Sequence, residues 1–133
     1  MRKQARETAF KVIYKNLFLE NDFSSRELLE EDNILEEDDV NFVNTLVELY
    51  QLNKEDINNN INSKLKGYTP ERVYRIDRAI LALALTEIKF YKQTPLKVVI
   101  NEAVEMAKKY STEKSYSFIN GMLKSLTEGQ YVV

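Results

Sequence analysis

The chain has 133 residues, of which 44% are hydrophobic and 30% charged, and its formal net charge is −2. This length allows a single domain over residues 1–133 with a sizeable core, and the composition is that of an ordinary globular protein. Cysteine and histidine are both absent. The sequence therefore excludes disulfides, thiol chemistry, the usual zinc sites and every histidine-based catalytic mechanism, and we expect no metal and no cofactor.

The composition favours helices, because only three glycines and two prolines accompany many leucine, glutamate, lysine and alanine residues. The longest apolar run, Ala79 to Leu85, has seven residues, whereas a membrane-spanning helix needs about 20. The first residues are charged and lack the apolar core of a signal peptide. The sequence predicts an all-α, cytoplasmic protein with no membrane partner.

Apolar residues at three- and four-residue spacing predict six or seven helices. We expect them at about 3–20, 37–52, 54–65, after Pro70, after Pro95 and at about 113–126, with a short helical turn within 21–35. Thr69 and Thr94 precede the prolines, where threonine suits the N-cap and proline the first helical position. The helix after Pro70 contains RAILALALTEI, which is apolar almost all round and predicts a buried central helix. The expected architecture is a compact bundle with two three-helix halves.

Charge is distributed unevenly along the chain. Residues 1–15 carry five cations and one acid, residues 20–39 carry ten acids and one arginine, and residues 108–124 carry four lysines and one glutamate. Two interpretations remain open: the basic segments are solvated helix faces, or they share one face that attracts phosphates.

One stripe of the first helix combines cations with aromatic rings. At 100° per residue, Lys3, Arg6, Phe10 and Tyr14 fall on this stripe, and Arg2 lies beside it. Basic groups bind phosphates without regard to sequence, and aromatic rings stack on unpaired bases. The alternative is that the rings belong to the core, which we favour for Phe10 and leave open for Tyr14.

The segment KSYSFINGML, residues 114–123, places Asn120-Gly121 inside a helical pattern, although Asn-Gly is typical of tight hairpin turns. Phe118 lies at the edge of the apolar arc, with Lys114 on its polar side. Glycine lowers helix stability by about 1 kcal/mol relative to alanine. We therefore predict that Gly121 permits a close approach by a neighbouring helix or by a nucleic-acid backbone.

Three stretches resemble the NusB family of bacterial transcription antitermination factors. They are RKQARETAFKVIY (2–14), DRAILALALTEI (77–88) and TPLKVVINEAVEMAKKYSTEKSYSFINGML (94–123), of which the third is the most specific. The resemblance implies two packed three-helix bundles and no catalysis. It also implies binding to single-stranded boxA RNA of ribosomal RNA leaders as a heterodimer with NusE, and assembly with RNA polymerase and other Nus factors.

The resemblance also implies functional residues in this chain. The RNA-binding positions it indicates are Arg2, Lys3, Arg6, Tyr14, Phe118, Asn120 and Gly121, and the position toward NusE is Glu87. Lys114, beside Phe118, extends this basic edge and is also a predicted RNA contact. Two departures bear on this expectation. The opening is poorer in arginine than in many members, which predicts weak RNA binding by the chain alone, and Ala82 stands where members often have arginine.

The all-α class also fits two other functions. An all-α adaptor that binds only proteins would leave the basic segments as solvated surface. NusB-like domains also occur fused to RNA methyltransferases, but the 133 residues leave no room for a cofactor-binding domain. For the acidic residues 20–39 we predict a solvated cover that keeps RNA off that face.

Overall fold

The computed structural model describes residues 1–19, 21–65 and 73–128, and every regular element in these ranges is helical. The α-helices are α1 (Arg2–Phe18), α2 (Arg26–Glu31), α3 (Glu37–Ser63), α4 (Arg75–Thr86), α5 (Leu96–Tyr110) and α6 (Ser115–Leu126), and a π-helical turn (Glu87–Tyr91) follows α4. The predicted all-α class is confirmed. The predicted Thr69-Pro70 helix start and the end of the third helix near Gly67 lie outside the described residues.

Helix α4 is the centre of the bundle and contacts α1, α3, α5 and α6. Its residues Asp77 to Thr86 are all buried, as its apolar sequence predicts. Leu81 and Leu85 are fully buried there, together with Ile13 of α1 and Leu123 of α6. Burial of each such side chain contributes roughly 1.5–3 kcal/mol. Helices α1 and α3 pack on α4 and on each other, α2 packs on α1, and α5 and α6 pack on α4 and on each other, so the two halves share one core.

The two helices predicted for residues 37–52 and 54–65 form one helical segment with a kink. At Asn53 the backbone leaves helical geometry, with φ −121° and ψ 15°. The Asn53 side-chain amide donates a hydrogen bond to the carbonyl of Leu49 at 2.8 Å. Because this bond inserts a side chain into the backbone ladder, it accounts for the bend. The kink is therefore at residue 53, the boundary predicted between the two helices.

The start of α5 differs from the prediction by one residue. Pro95 is the N-cap and Leu96 the first helical residue, and no side chain caps the helix. The hydroxyl of Thr94 donates instead to a carboxylate oxygen of Glu87 at 2.6 Å. A buried carboxylate needs hydrogen-bond donors. Because the Thr94 hydroxyl donates to Glu87, it does not cap α5 as expected.

Among the helices in the described ranges, none is long and apolar enough to cross a membrane.

Candidate nucleic-acid interface

Arg6 of α1 and Glu87 after α4 form a buried ion pair. Arg6 Nε donates to Glu87 Oε1 at 2.9 Å and Nη2 donates to Oε2 at 2.6 Å. Only 6% of Arg6 and 1% of Glu87 is exposed. Arg6 is a predicted RNA contact and Glu87 a predicted NusE contact. The structure buries both side chains against each other inside the bundle, and their contacts with RNA and NusE stay predictions.

The electrostatics of this pair favour the charged form of Arg6. Burial opposes the charge of Arg6, but the hydrogen bond and the negative charge of Glu87 outweigh it, so the pKa of Arg6 is raised. Removing one member of such a pair leaves an uncompensated buried charge. The pair therefore fixes the basic start of α1 against the end of the central helix.

A lysine-lined hollow of about 460 Å³ lies between the start of α1, the end of α2 and the end of α5. Its lining residues are Met1, Lys3, Gln4, Glu7, Lys11, Asp32, Lys109 and Tyr110. We call it the lysine hollow. Lys3 and Lys109 are exposed on it, so the structure brings basic residues from both ends of the chain to one face.

Glu7 organises the floor of the lysine hollow. It accepts hydrogen bonds from Lys109 Nζ at 2.7 Å and from the Tyr110 hydroxyl at 2.5 Å. Burial alone would raise the pKa of Glu7, but these two donors and the lysine charge lower it. The hydrogen bond to Glu7 in turn raises the pKa of Lys109. The hydrogen bond therefore holds the Lys109 ammonium group beside α1.

Arg2 lies at the outer end of α1 with its guanidinium stacked on an aromatic ring. Its Cζ atom is 4.1 Å from the centre of the Phe42 ring, and Nε is 3.9 Å from Asp39. The side chain is 44% exposed, so its remaining N–H groups are open to a phosphate. Stacking on a ring favours a defined orientation of the guanidinium.

Phe118 and Lys114, one turn apart on α6, border a second hollow of about 150 Å³. Its lining residues are Val73, Tyr74, Asp77, Thr112, Lys114, Ser115 and Phe118, and we call it the Phe118 hollow. Phe118 is half-buried and packs against the core, while Lys114 is exposed. Phe118 is therefore a residue at the edge of the core, as predicted, and it also borders the Phe118 hollow.

Asp77 fixes the frame of the Phe118 hollow. Its carboxylate accepts hydrogen bonds from Ser111 at 2.5 Å and from Ser115 at 2.9 Å, and the backbone N–H of Thr112 donates to Ser115 Oγ at 3.3 Å. Asp77 is 3% exposed. The network ties the turn between α5 and α6 to α4, and the sequence analysis missed it because its members are 34 and 38 residues apart.

Gly121 and Asn120 lie on different sides of α6. Gly121 is exposed, and among the described residues no atom lies within 4 Å of the position that a Cβ would take. The expectation that a neighbouring helix approaches Gly121 is therefore wrong within the described residues. Asn120 is half-buried and about 200° around the helix from Phe118, on the side where Tyr116 lies 5.5 Å from Lys108 Nζ.

Tyr14 belongs to an aromatic cluster at the far end of α1. Its ring centre is 5.1 Å from that of Phe18, and Arg75 lies over Phe18 at 5.2 Å. Eleven residues separate Tyr14 from Lys3, which is about 16 Å along a helix. Phe10, by contrast, is buried in the core as expected, with 5% exposure. The predicted stripe is thus divided between an exposed basic end, a buried middle and a half-buried aromatic end.

Basic residues beside half-buried aromatic rings are the combination with which proteins bind the phosphates and unpaired bases of nucleic acids. The comparisons with known proteins agree with this class of nucleic-acid-binding protein. The NusB family model matches residues 3–128. The transcription antitermination protein NusB of Finegoldia magna is 37% identical over 127 residues, which cover 94% of this chain and 92% of the relative. The chain belongs to the NusB family.

Two solved structures extend the likeness to three dimensions. NusB from T. maritima matches with a TM-score of 0.84 and 29% identity, covering 97% of this chain and 92% of that one. A complex of the antitermination factors NusB and NusE with double-stranded RNA matches with a TM-score of 0.83 and 32% identity, covering 94% of each chain. The compact helical bundle is therefore the NusB fold.

Proposed function

We propose that this protein is a transcription antitermination factor that binds the single-stranded boxA element of ribosomal RNA leaders together with NusE. In this proposal the pair helps to assemble an antitermination complex on RNA polymerase with other Nus factors, in the cytoplasm. The observation that carries the proposal is the match over 94% of the chain to a NusB–NusE complex that contains RNA.

The lysine hollow supplies the general affinity for RNA. Lys3 is exposed there, and the ammonium group of Lys109 is positioned by its hydrogen bond to Glu7. Arg2 adds a guanidinium oriented by Phe42. Each phosphate contact releases counterions and makes the affinity depend on salt. Because lysine lacks the forked geometry of arginine, this face by itself is suited to weak binding, which a protein partner then strengthens.

The Phe118 hollow supplies the contact to unpaired bases. A half-buried ring that borders an open hollow provides a stacking platform, and stacking of one base contributes roughly 1–3 kcal/mol. Lys114 on the rim is placed to contact the adjoining phosphate. Single strands with splayed bases are the form of RNA that such platforms recognise.

The Gly121 face of α6 lies beside this platform. Gly121, Lys114 and Phe118 fall within one third of a helical turn of each other, and the space above Gly121 is open. An RNA backbone could approach α6 there more closely than over any side chain. Asn120 remains a predicted RNA contact on the opposite edge, beside Tyr116.

The proposed contact with NusE does not use Glu87 directly, because Glu87 is buried against Arg6. Its role is to hold the start of α1 and, through Thr94, the start of α5. Ala82 is fully buried and presents no side chain to a partner. The exposed Arg75 at the start of α4 and the half-buried Tyr14 on α1 are the better candidates for this contact, and Tyr14 also remains a predicted RNA contact.

The test is a titration of the chain with a boxA RNA and with a scrambled RNA of equal composition, with and without NusE, at low and high salt. We expect tighter binding of boxA when NusE is present and weaker binding at high salt. Equal binding of both RNAs would reduce the function to general polyanion binding. Absence of binding to either RNA would contradict the proposal and favour an adaptor that binds only proteins.

A further inference from the structure

The face of the bundle formed by α2 and the start of α3 contains an open hollow of about 380 Å³. Its lining residues are Ser24, Ser25, Arg26, Leu29, Glu30, Ile34, Leu35, Val40 and Asn44, and we call it the α2–α3 hollow. Leu29 and Ile34 form an apolar floor, with exposures of 9% and 6%. None of its lining residues lines the lysine hollow or the Phe118 hollow.

The turn after α2 exposes Leu35 to solvent. Asn33 has a positive φ of 54°, its N–H donates to Glu30 O at 3.2 Å, and Ile34 N–H donates to Leu29 O at 3.0 Å. This pair of bonds is the Schellman motif that ends a helix, with the expected apolar contact between Leu29 and Ile34. Because the motif directs Ile34 inward, Leu35 follows with 84% of its surface exposed.

The surroundings of Leu35 are strongly acidic. Between residues 26 and 38 six carboxylates are exposed, namely Glu27, Glu30, Glu31, Glu36, Glu37 and Asp38. Arg26 is the single cation in that range and lies 3.8 Å from Glu30. In the part of the chain that the structure describes, the ion pairs do not include the other five acids.

The stability of the fold accounts for only some of these charges. Glu37 and Asp38 lie in the first turn of α3, where negative charge is favourable, whereas Glu30 and Glu31 lie at the end of α2, where it is unfavourable. Other acids of the segment do serve the fold: Asp32 pairs with Lys11 at 3.1 Å and Asp39 pairs with the terminal amine at 2.9 Å. The predicted role of residues 20–39 as a solvated cover is therefore incomplete.

We propose that the α2–α3 hollow is a docking site for a basic protein segment that carries apolar side chains. Leu35 and the floor receive the apolar side chains, and the surrounding carboxylates pair with lysine or arginine. This charge pattern repels RNA, so the site is distinct from the proposed RNA-binding face and does not depend on it. Docking of an amphipathic segment into an apolar groove is a common mode of peptide recognition.

The test uses the full chain and a synthetic amphipathic peptide with leucine on one face and lysine on the other. Two control peptides replace leucine by serine or lysine by glutamate. We expect the chain to bind the first peptide, with amide NMR shifts that map to residues 26–44. Leu35→Ser should weaken binding about five- to tenfold, as expected for the loss of one buried leucine contact.

A charge variant tests the electrostatic part. Glu27→Gln with Glu31→Gln should weaken binding about threefold and reduce its salt dependence, whereas Glu55→Gln with Asp56→Asn, two exposed acids farther along α3, should not. All variants should keep their affinity for boxA RNA. Three results would overturn the proposal: unchanged peptide binding by Leu35→Ser, reduced RNA affinity of that variant, or a self-associated wild-type chain that Leu35→Ser makes monomeric.

Discussion

Arg6 and Glu87, which are 81 residues apart, bind each other through two hydrogen bonds of 2.9 and 2.6 Å inside the bundle. The pair joins the start of α1 to the turn that follows the central helix. Lys3 and Arg2, which are exposed at the start of α1, are therefore held in place by a buried ion pair one turn further along the helix. The basic face depends on a structural arginine that does not itself reach the surface.

Removing one member of this pair should destabilise the fold strongly. We expect Glu87→Ala to lower the free energy of unfolding by about 3 kcal/mol, because the Arg6 charge would remain buried without a partner. Urea unfolding at neutral pH measures this change. The matched control is Glu30→Ala, which breaks an exposed Arg26–Glu30 pair and should change stability by less than about 0.5 kcal/mol. Similar losses for the two variants would show that the Arg6–Glu87 pair has no special role.

Lys3 should contribute to RNA binding through phosphate contacts. We expect Lys3→Ala to weaken boxA and scrambled RNA alike and to reduce the slope of log affinity against log salt by about 0.7, the value for one contact to a single strand. The measurement is a set of fluorescence titrations at several salt concentrations. Lys97→Ala, an exposed lysine outside the lysine hollow, serves as the control and should leave the slope unchanged. A larger change of the slope for Lys97→Ala than for Lys3→Ala would show that the RNA binds a different face.

A substitution at Gly121 should have opposite effects on fold stability and on RNA binding. A Cβ at this position meets no described atom within 4 Å, so Gly121→Ala should stabilise α6 by up to about 1 kcal/mol. The same methyl group should weaken boxA binding if the RNA backbone lies against the helix. Thermal unfolding and RNA titration of the same sample measure both effects. Ser125→Ala, one turn along the helix, adds no atom and is the control. A Gly121→Ala protein that is more stable but keeps full RNA affinity would show that Gly121 is not part of the RNA-binding site.

Glu7 should make stability depend on pH in the acidic range. Its pKa is lowered in the folded state, so its contribution is present above the ordinary glutamate pKa of about 4.3 and is lost as the pH falls below that value. We expect Glu7→Gln to cost about 1 kcal/mol at neutral pH and progressively less as the pH falls below about 4.3 and through the lowered pKa. Urea unfolding across this range, with Glu48→Gln as an exposed control, measures the difference. A constant difference at all pH values would indicate a packing effect.

The sequence predicts those features that depend on local pattern. The apolar run of α4 indicates its central position, and the polar cluster around Asn53 indicates the break in α3. Gly121 stays helical because Ile119, Met122 and Leu123 on the same helix are buried, and this burial outweighs the turn preference of Asn-Gly. Three- and four-residue spacing also identifies Phe118 as a residue at the edge of the core.

The remaining features depend on contacts between distant residues. On a helical wheel Arg6 lies beside Lys3, but the burial of each side chain depends on the neighbouring helices. Helices α4 and α5 pack over Arg6. One signal was available: a glutamate two residues after a long apolar run requires a buried partner. The Asp77–Ser111–Ser115 network and the turn that exposes Leu35 have no local signature of comparable strength, since serine and asparagine occur in many loops.

The most direct test of the proposed function compares Phe118→Ala with Tyr116→Ala in boxA titrations with NusE present. Tyr116 is also aromatic and is 42% exposed, but it lies on the other side of α6, next to Lys108. We expect Phe118→Ala to weaken boxA binding at least about tenfold, as for the loss of one base stack, and Tyr116→Ala to weaken it less than about twofold, with both proteins folded by circular dichroism. Equal affinities of wild type and Phe118→Ala would contradict the account, because the Phe118 hollow would then not be the RNA-binding site.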